Sequence, residues 1–450
     1  MNLPLPPTTN TRLKRPELLS PAGSLKAMRT AFAYGADAIY AGLPRYSLRV
    51  RNNEFSLENL ALGIAEAQRQ HKRFYVVVNL MPHNAKIQDL IKNMAPVVAL
   101  KPDALIVADP GVIYLLREAF PDMPLHLSVQ ANTMNWAAVK FWQAQGISRI
   151  ILSRELGLNE IAEIKQRCPD MELEVFVHGA LCMAYSGRCL ISNYMDKRDP
   201  NQGACTNACR WSYDVCDKSS SAQEASGCAS HTDYKTLAVT AADDPHSHYL
   251  LEEDEHGSYL FNSKDLRAVA LVEKLAAIGV DSLKIEGRTK SPYYVGRTAQ
   301  VYRRAIDDAV AGKPFDNNLL RELDGMANRG YTEGFLRRHQ QQNLQNYERN
   351  FSVGLQQVVG EVIDRTATGQ LIIDVKNRFS VGDACVLMTP VGNINFTLEK
   401  IYHLQGQPIT VAPGSGHIVC IELPAPLQAN LLQALDQHLL ASVMLIKDGN

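Results

Sequence analysis

The chain has 450 residues, 46% of them hydrophobic and 21% charged. That profile belongs to an ordinary globular protein with enough chain for a large apolar core, and it excludes a disordered tail, a collagen-like fibre and a small disulfide-stapled scaffold. The formal net charge of −1 excludes a general polyanion binder, so any nucleic-acid contact has to come from a local basic patch.

Residues 1–15 read as a flexible leader: they are Pro-rich and then basic, without the apolar run of a signal peptide. No stretch approaches the roughly 18 apolar residues that span a bilayer. The expectation is a cytoplasmic protein with no membrane partner and with reduced thiols. From residue 16 to 335, short apolar runs end in a polar residue or glycine and are followed by helical sequence. The predicted strands cover 17–20, 38–42, 74–79, 104–109, 125–130, 149–154, 173–178 and 282–286. Helical periods lie between them, for example 57–70 and 265–278, the latter opening after the capping loop Asn262-Ser-Lys. Near-continuous apolar runs suit strands buried on both faces of a parallel sheet. Eight strand–helix units predict an α/β fold of the (β/α)8 barrel type. A doubly wound open sheet is the alternative, weakened because no G-x-G-x-x-G follows the first strand.

The seventh and eighth strands are about 100 residues apart, far beyond an ordinary connection. The gap, residues 180–260, reads as a cysteine-rich insertion followed by a polar loop over 217–255. Residues 336–353 are rich in Gln and Asn and read as a linker. Residues 354–447 change style to short alternating strands (358–363, 371–375, 384–388, 394–398 and 417–422) separated by Gly-containing turns, which predicts a small C-terminal all-β barrel domain.

Six of the nine cysteines fall between Cys182 and Cys228. In a reducing compartment such a cluster favours a metal site over disulfides. Four have the spacing Cys182-x6-Cys189-x15-Cys205-x3-Cys209. This is neither the paired CxxC of a zinc ribbon nor a ferredoxin run, and both zinc and an iron–sulfur cluster stay open on spacing, beside purely structural thiols. Cys216 and Cys228, in the polar stretch, read as bystanders.

In an α/β barrel the chemistry sits at the carboxyl ends of the strands. Those ends read Ser20, Gly42, Asn79, Asp109, Gln130, Arg154, His178 and Glu286, six of them amide, acid, guanidinium or imidazole groups. The plainer alternative for each is a cap or turn residue. His178 stands four residues before Cys182, which puts a metal held by the cysteines at the barrel mouth. Lys284 and Glu286 alternate with Leu283 and Ile285, so both point into the barrel, as acid–base groups or as a buried ion pair. His178, Glu286, Lys284 and Asp109 are therefore the catalytic candidates. Arg45, Arg49 and Arg51 after the second strand, with Asn79, Gln130, Arg154 and Arg288, are the substrate-binding candidates, since guanidinium forks and amides clamp carboxylates and phosphates. No HExxH or GxSxG is present.

The segments PELLSPAG, GADAIYAG, HLSVQAN, FVHGALCMAYSGRCLISNY, NQGACTNACRW, NSKDL and SLKIEGRTKSPYYV together resemble the collagenase-like peptidase family U32, from about Pro16 to the C-terminus. RYSLRVRNNEF, SRELGLNEI, RGYTEGFLRRH and GNINFTLE resemble its tRNA-hydroxylating branch. The resemblance implies hydroxylation of the wobble uridine of tRNA to 5-hydroxyuridine, without molecular oxygen and dependent on prephenate as co-substrate. It also implies a 4Fe-4S cluster on Cys182, Cys189, Cys205 and Cys209, with tRNA and an electron donor or accessory protein as partners. Between Trp211 and Glu255 the chain departs from the family pattern, so no substrate contact is carried over there. Candidate tRNA-binding cations are Lys197, Arg198, Arg329, Arg337 and Arg338, with the C-terminal β domain. Alternatives are a peptidase of the collagenase-like type, hydroxylation of another RNA, and a zinc-bound scaffold that presents tRNA to a partner.

Overall fold

The computed structural model describes residues 13–43, 45–48, 53–182, 184–186, 188–189, 201, 205, 237–241, 244–254, 257–259, 263–337, 354–424 and 437–448. Seven strands open the chain: β1 (Glu17–Pro21), β2 (Ala38–Gly42), β3 (Arg73–Val78), β4 (Ala104–Val107), β5 (Leu125–Leu127), β6 (Arg149–Ile151) and β7 (Glu172–Ala180). The insertion carries β8 (Leu237–Ala241), β9 (Asp244–Asp254) and β10 (Gly257–Tyr259), which form a separate antiparallel sheet where a polar loop was expected. There Val239, Thr240, Tyr249, Leu250 and Leu251 supply strand-forming residues that the surrounding Ser, Asp, Glu and His obscure. Strand β11 (Asp265–Arg267) and strand β12 (Ser282–Ile285) follow.

Neighbouring strands β1 to β7 pair in parallel and in order, and β12 pairs in parallel with both β7 and β1. The eight strands close into the expected barrel. Their residues are almost all buried, which is why the runs are continuously apolar rather than alternating. Helices α1 (Leu25–Ala33), α2 (Leu57–Arg69), α3 (Asn84–Ile87), α4 (Leu90–Ala99), α5 (Pro110–Ala119), α6 (Trp136–Ala144) and α7 (Leu158–Arg167) intervene. Local chemistry fixes their starts: Ser24 Oγ accepts from Ala27 N–H, Ser56 Oγ from Asn59 N–H and Asn135 Oδ1 from Ala138 N–H.

One helix starts later than expected. Residues 265–267 form β11, which pairs antiparallel with β7 and parallel with β13 (Tyr331–Thr332), and α8 covers only Val272–Ile278. The helical period of the apolar residues is real, but its first turn is spent pairing with the exposed edge that β7 extends past the barrel. After β12 come α9 (Pro292–Val310), capped by Ser291, and α10 (Asn318–Asp324).

The C-terminal region is all-β: β14 (Gln356–Arg365), β15 (Leu371–Val375), β16 (Phe379–Ser380), β17 (Ala384–Thr389), β18 (Gly392–Thr397), β19 (Ile401–His403), β20 (Pro408–Ile409), β21 (Val411–Ala412), β22 (Ile418–Ile421) and β23 (Met444–Asp448). Eight of these form one antiparallel sheet in the order β18-β17-β23-β14-β15-β22-β19-β20 around a core of their own. Residues 338–353, most of the expected linker, lie outside the described residues, as does the leader up to residue 12. The domains are joined at a buried contact: Tyr34 Oη, at the end of α1, sits 2.9 Å from both the Met388 and Ser442 carbonyls, and Gln300 Nε2 on α9 donates to the Thr389 carbonyl. Met388, Met444 and Ile446 join the barrel's apolar cluster. Among the described residues no helix is long and apolar enough to cross a membrane.

The barrel interior carries an ionic chain. Arg149, 2% exposed, reaches Glu17 at 2.5 Å, Glu172 at 2.8 Å and Glu174 at 3.3 Å. Glu17 also accepts from Tyr75 Oη and Ser282 Oγ, and Glu174 accepts from Lys284 Nζ at 2.8 Å. Burial works against the Arg149 charge, but Glu17 and Glu174 more than offset it and hold the guanidinium above its ordinary range. Removing one partner of such a set strands the others without compensation. Arg149→Met is therefore expected to lower unfolding stability by about 3–5 kcal/mol, read from the denaturant midpoint of the full chain.

Candidate active site

The carboxyl ends of the barrel strands surround a small cleft of about 60 Å3 that opens to solvent. Asn79, Gln130, Arg154, Lys284, Glu286 and Arg288, all singled out in the sequence, line it together with Cys182. Arg154 Nη2 pairs with Glu286 Oε2 at 3.0 Å, Nη1 donates to the Ala180 carbonyl, and the guanidinium carbon lies 4.0 Å from the Phe176 ring centroid. The Arg154 Nε is buried with no hydrogen-bond partner among the described residues. Asn79 Nδ2 donates to Gln130 Oε1 at 2.7 Å, while Asn79 Oδ1 accepts from Leu48 N–H, which anchors the loop after β2.

Lys284 and Glu286 both enter the barrel, as alternation predicts, but they are not each other's partner. Lys284 is bound to Glu174, one strand away, and Glu286 to Arg154. Burial holds the Lys284 ammonium below the ordinary lysine range, with Glu174 offsetting part of the effect. Its Nζ also stands 4.2 Å from the Tyr40 ring centroid. Arg288 donates to the Leu48 carbonyl and packs over the space beside Gly42. A Cβ at Gly42 would fall 2.3 Å from both Arg288 Nη1 and Ser47 Oγ, so β2 has to end in glycine for that guanidinium to reach the cleft.

Two catalytic candidates are placed elsewhere. Asp109 is the N-cap of α5: its Oδ1 accepts from Val112 N–H at 3.0 Å, ahead of Pro110 at the first helical position. His178 is 1% exposed and faces away from the cleft, among the rings of Tyr294, Tyr302 and Tyr331 at 5.5–5.8 Å. Alternation from Glu174 and Phe176 would aim it inward. The register shift against β12, where Lys284 pairs with Phe176 but Ile285 pairs with His178, adds one residue to β7 and turns the imidazole to the helix side. Burial pushes the His178 imidazole down to about 3, with Asp265 opposing and Arg267 and Lys290 reinforcing the shift.

Of the other binding candidates, Arg45 is exposed and pairs with Asp89 at 3.4 Å outside the cleft lining. Arg49 and Arg51 lie outside the described residues. Arg329 is buried against Asp265, so it is not an RNA-facing cation, and Arg337 pairs with Glu333 at 2.7 Å. Lys197, Arg198 and Arg338 lie outside the described residues.

Cys182, Cys189 and Cys205 are partly exposed and not in disulfides, and Cys182 lines the cleft. The Asn201 side-chain amide donates to the Cys189 carbonyl at 2.9 Å, tying the segment before Cys205 to the second cysteine. Cys209, Cys216 and Cys228 lie outside the described residues. Among the described residues no group of three or more His, Cys, Asp or Glu side chains is arranged to hold a metal ion. The donor chemistry still suits a thiolate-ligated centre, since none of the three described cysteines is in a disulfide and Cys182 lines the cleft.

Sequence reasoning missed several contributors. Tyr40, Ser128, Phe176 and Ser186 line the cleft, and Glu174 neutralises its lysine. Tyr40 stands two positions before the strand end Gly42, and Glu174 and Phe176 alternate along β7 ahead of the inserted residue that turns His178 away, so alternation read back from the strand ends finds the first but not the other two.

The family model "Peptidase family U32" matches residues 23–346, and "Peptidase family U32 C-terminal domain" matches residues 355–433. The chain is 58% identical over 433 residues to a protein of Escherichia coli (strain K12) named tRNA hydroxylation protein P, covering 92% of this chain and 95% of that one. It is 56% identical to the protein of the same name from Haemophilus influenzae (strain Rd), again with 92% and 95% covered. It is 33% identical to a 23S rRNA 5-hydroxycytidine synthase of Escherichia coli (strain K12), covering 66% of this chain and 40% of that one.

The placement of His178 has a measurable consequence. Its folded pKa of about 3 lies below the unfolded value of about 6.5. Between these values the unfolded chain binds more protons, so its contribution to stability is present above pH ~6.5 and is lost as pH falls toward ~3. In urea titrations the wild type should lose stability between pH 7 and pH 4.5, and His178→Phe should lose less over the same interval. An identical pH slope in the two proteins would assign the titration to another group.

Proposed function

The chain belongs to peptidase family U32, and from that premise we propose that it hydroxylates the wobble uridine of tRNA to 5-hydroxyuridine, with prephenate as co-substrate and without molecular oxygen. The observation that carries the tRNA-hydroxylating assignment is near-full-length identity of 58% and 56% to two bacterial proteins named for that activity. The cleft supports the finer reading. Prephenate carries two carboxylates, and Arg154, Arg288 and Lys284 converge there with the amides of Asn79 and Gln130. The unpartnered Arg154 Nε is a donor that a bound carboxylate would satisfy. Glu286, salt-bridged to Arg154, is the carboxylate placed to exchange a proton with a substrate in the cleft. Lys284, with its depressed pKa, is the second group suited to that work.

Cys182, Cys189, Cys205 and Cys209 would hold a 4Fe-4S cluster, with Cys182 bringing it to the cleft. Such a cluster supplies one-electron chemistry or, on losing a ligand, a Lewis-acid iron. An electron donor or accessory protein belongs to the same reading. Hydrolysis finds less support. Among the described residues the cleft lining includes no histidine beside Cys182, Ser128 or Ser186 to serve as base for a nucleophile there.

The test is nucleoside mass spectrometry of bulk tRNA from an anaerobically grown deletion strain carrying wild type, Cys182→Ala or Arg154→Ala. Wild type should restore the hydroxyuridine-derived nucleosides. Cys182→Ala should restore none and purify with less iron per chain. Arg154→Ala should restore under about a tenth, the loss expected when a charge-assisted contact of roughly 1.5–3 kcal/mol is removed. Full restoration by Cys182→Ala would sink the cluster reading. Unchanged tRNA in the deletion strain would move the substrate to another RNA.

A further inference from the structure

We propose that Tyr185 is a stacking platform for an unpaired base of the anticodon loop, presented beside the cleft on a turn that Glu155 locks in place. The inference rests on the tRNA-hydroxylation reading and adds to it the residue that grips the RNA. Tyr185 is 52% exposed, whereas its neighbour Ser186 is 3% exposed and lines the cleft. Ser186 holds a φ of +42°, a left-handed conformation that a serine adopts only when its surroundings enforce it.

The enforcement is visible. The Glu155 carboxylate accepts from Ser186 N–H at 2.8 Å, from Ser186 Oγ at 2.6 Å and from Ser153 Oγ at 2.6 Å. On the other side of the turn, the Tyr185 carbonyl accepts from Arg188 N–H at 3.0 Å and from Asn132 Nδ2 at 3.3 Å. Arg188 Nε donates to the carbonyl of Gln130, another cleft residue, at 3.0 Å. These bonds fix the main chain on both sides of a ring that faces solvent. Packing gives no reason to immobilise an exposed aromatic side chain; recognition does.

The chemistry of the site selects the ligand. A loop base that is to be modified must leave its neighbours' stack, and the bases around it are then free to stack on a protein ring. Every base has a π face, so a tyrosine serves without reading sequence. Arg188, exposed on the same turn, is suited to a backbone phosphate. The pair thus offers one stacking and one charged contact next to a cleft lined with hydrogen-bonding groups.

The test is fluorescence anisotropy of the full-length protein with an unmodified tRNA transcript over a series of salt concentrations. Tyr185→Ala should bind about tenfold more weakly with an unchanged salt slope, because no charge is lost, and its melting temperature should match wild type. Tyr185→Phe and Tyr185→Trp should stay within about twofold of wild type, since either ring stacks. Arg188→Ala should reduce the salt slope by about one. Wild-type affinity in Tyr185→Ala, or equal weakness in Tyr185→Phe and Tyr185→Ala, would overturn the proposal while leaving the tRNA reading intact. A wild-type protein that binds the transcript no better than an unrelated RNA hairpin would instead refute the tRNA reading, and the stacking role with it.

Discussion

Everything at the mouth of the barrel is built over one buried carboxylate. Glu174 is fully buried and stands between Arg149 at 3.3 Å and Lys284 at 2.8 Å. Two cations and one carboxylate are not a strong source of net stability, because each charge gives up its hydration. Their effect is on geometry: β6, β7 and β12 each contribute one member, so a one-residue slip of any strand breaks the set. Glu17 on β1 ties the same arginine at 2.5 Å and extends the constraint to the strand that closes the barrel. Lys284 reaches the cleft with its charge already matched, which leaves the Arg154–Glu286 pair above it to face a ligand.

Strand β7 divides the chemistry of its two faces by a single extra residue. Glu174 and Phe176 face inward, and after the register shift His178 faces the helices. The next residue, Gly179, has a φ of +109°, and a Cβ there would lie 2.7 Å from the Glu286 carbonyl oxygen. The close approach lets the Glu286 N–H donate to the His178 carbonyl at 2.8 Å. The same bend delivers the chain to Cys182 at the cleft. The histidine nearest the cysteines in sequence is therefore a packing element, and on the proposed function the acid–base groups left facing the cleft are Glu286 and Lys284.

The barrel strands were legible because burial on both faces leaves an unbroken apolar run, and a strand so marked ends in an identifiable residue. Asn79, Gln130, Arg154 and Glu286 could be picked from those ends alone. Asp109 looks the same in sequence, but its carboxylate is spent on the first turn of α5, and a cap and an active-site acid share the same position at a strand–helix junction. His178 was misplaced because alternation has no means of counting an inserted residue. The partner of Lys284 is not legible in the sequence because Glu174 is a neighbour across the sheet rather than along the chain. The three strands of the insertion were hidden by polar composition, which reports exposure and not conformation.

The position of the C-terminal domain limits what it can contribute. Its contacts run along α1 and α9, through Tyr34, Gln300 and a Lys26–Glu361 pair at 2.6 Å. Among the described residues, the cleft lining runs from Tyr40 to Arg288 and none of it comes from the β domain. The described residues of the β domain therefore take no part in the cleft wall. Its methionines 388 and 444 are fused into the barrel's apolar cluster, so it is fixed to the outside of the helix layer and not hinged over the mouth. On the proposed function, an RNA contact made by this domain would fall on a part of the tRNA away from a base in the cleft. On that reading, recognition of the modified position would rest on what the chain presents at the cleft: the polar strand ends and the aromatic turn that follows Cys182.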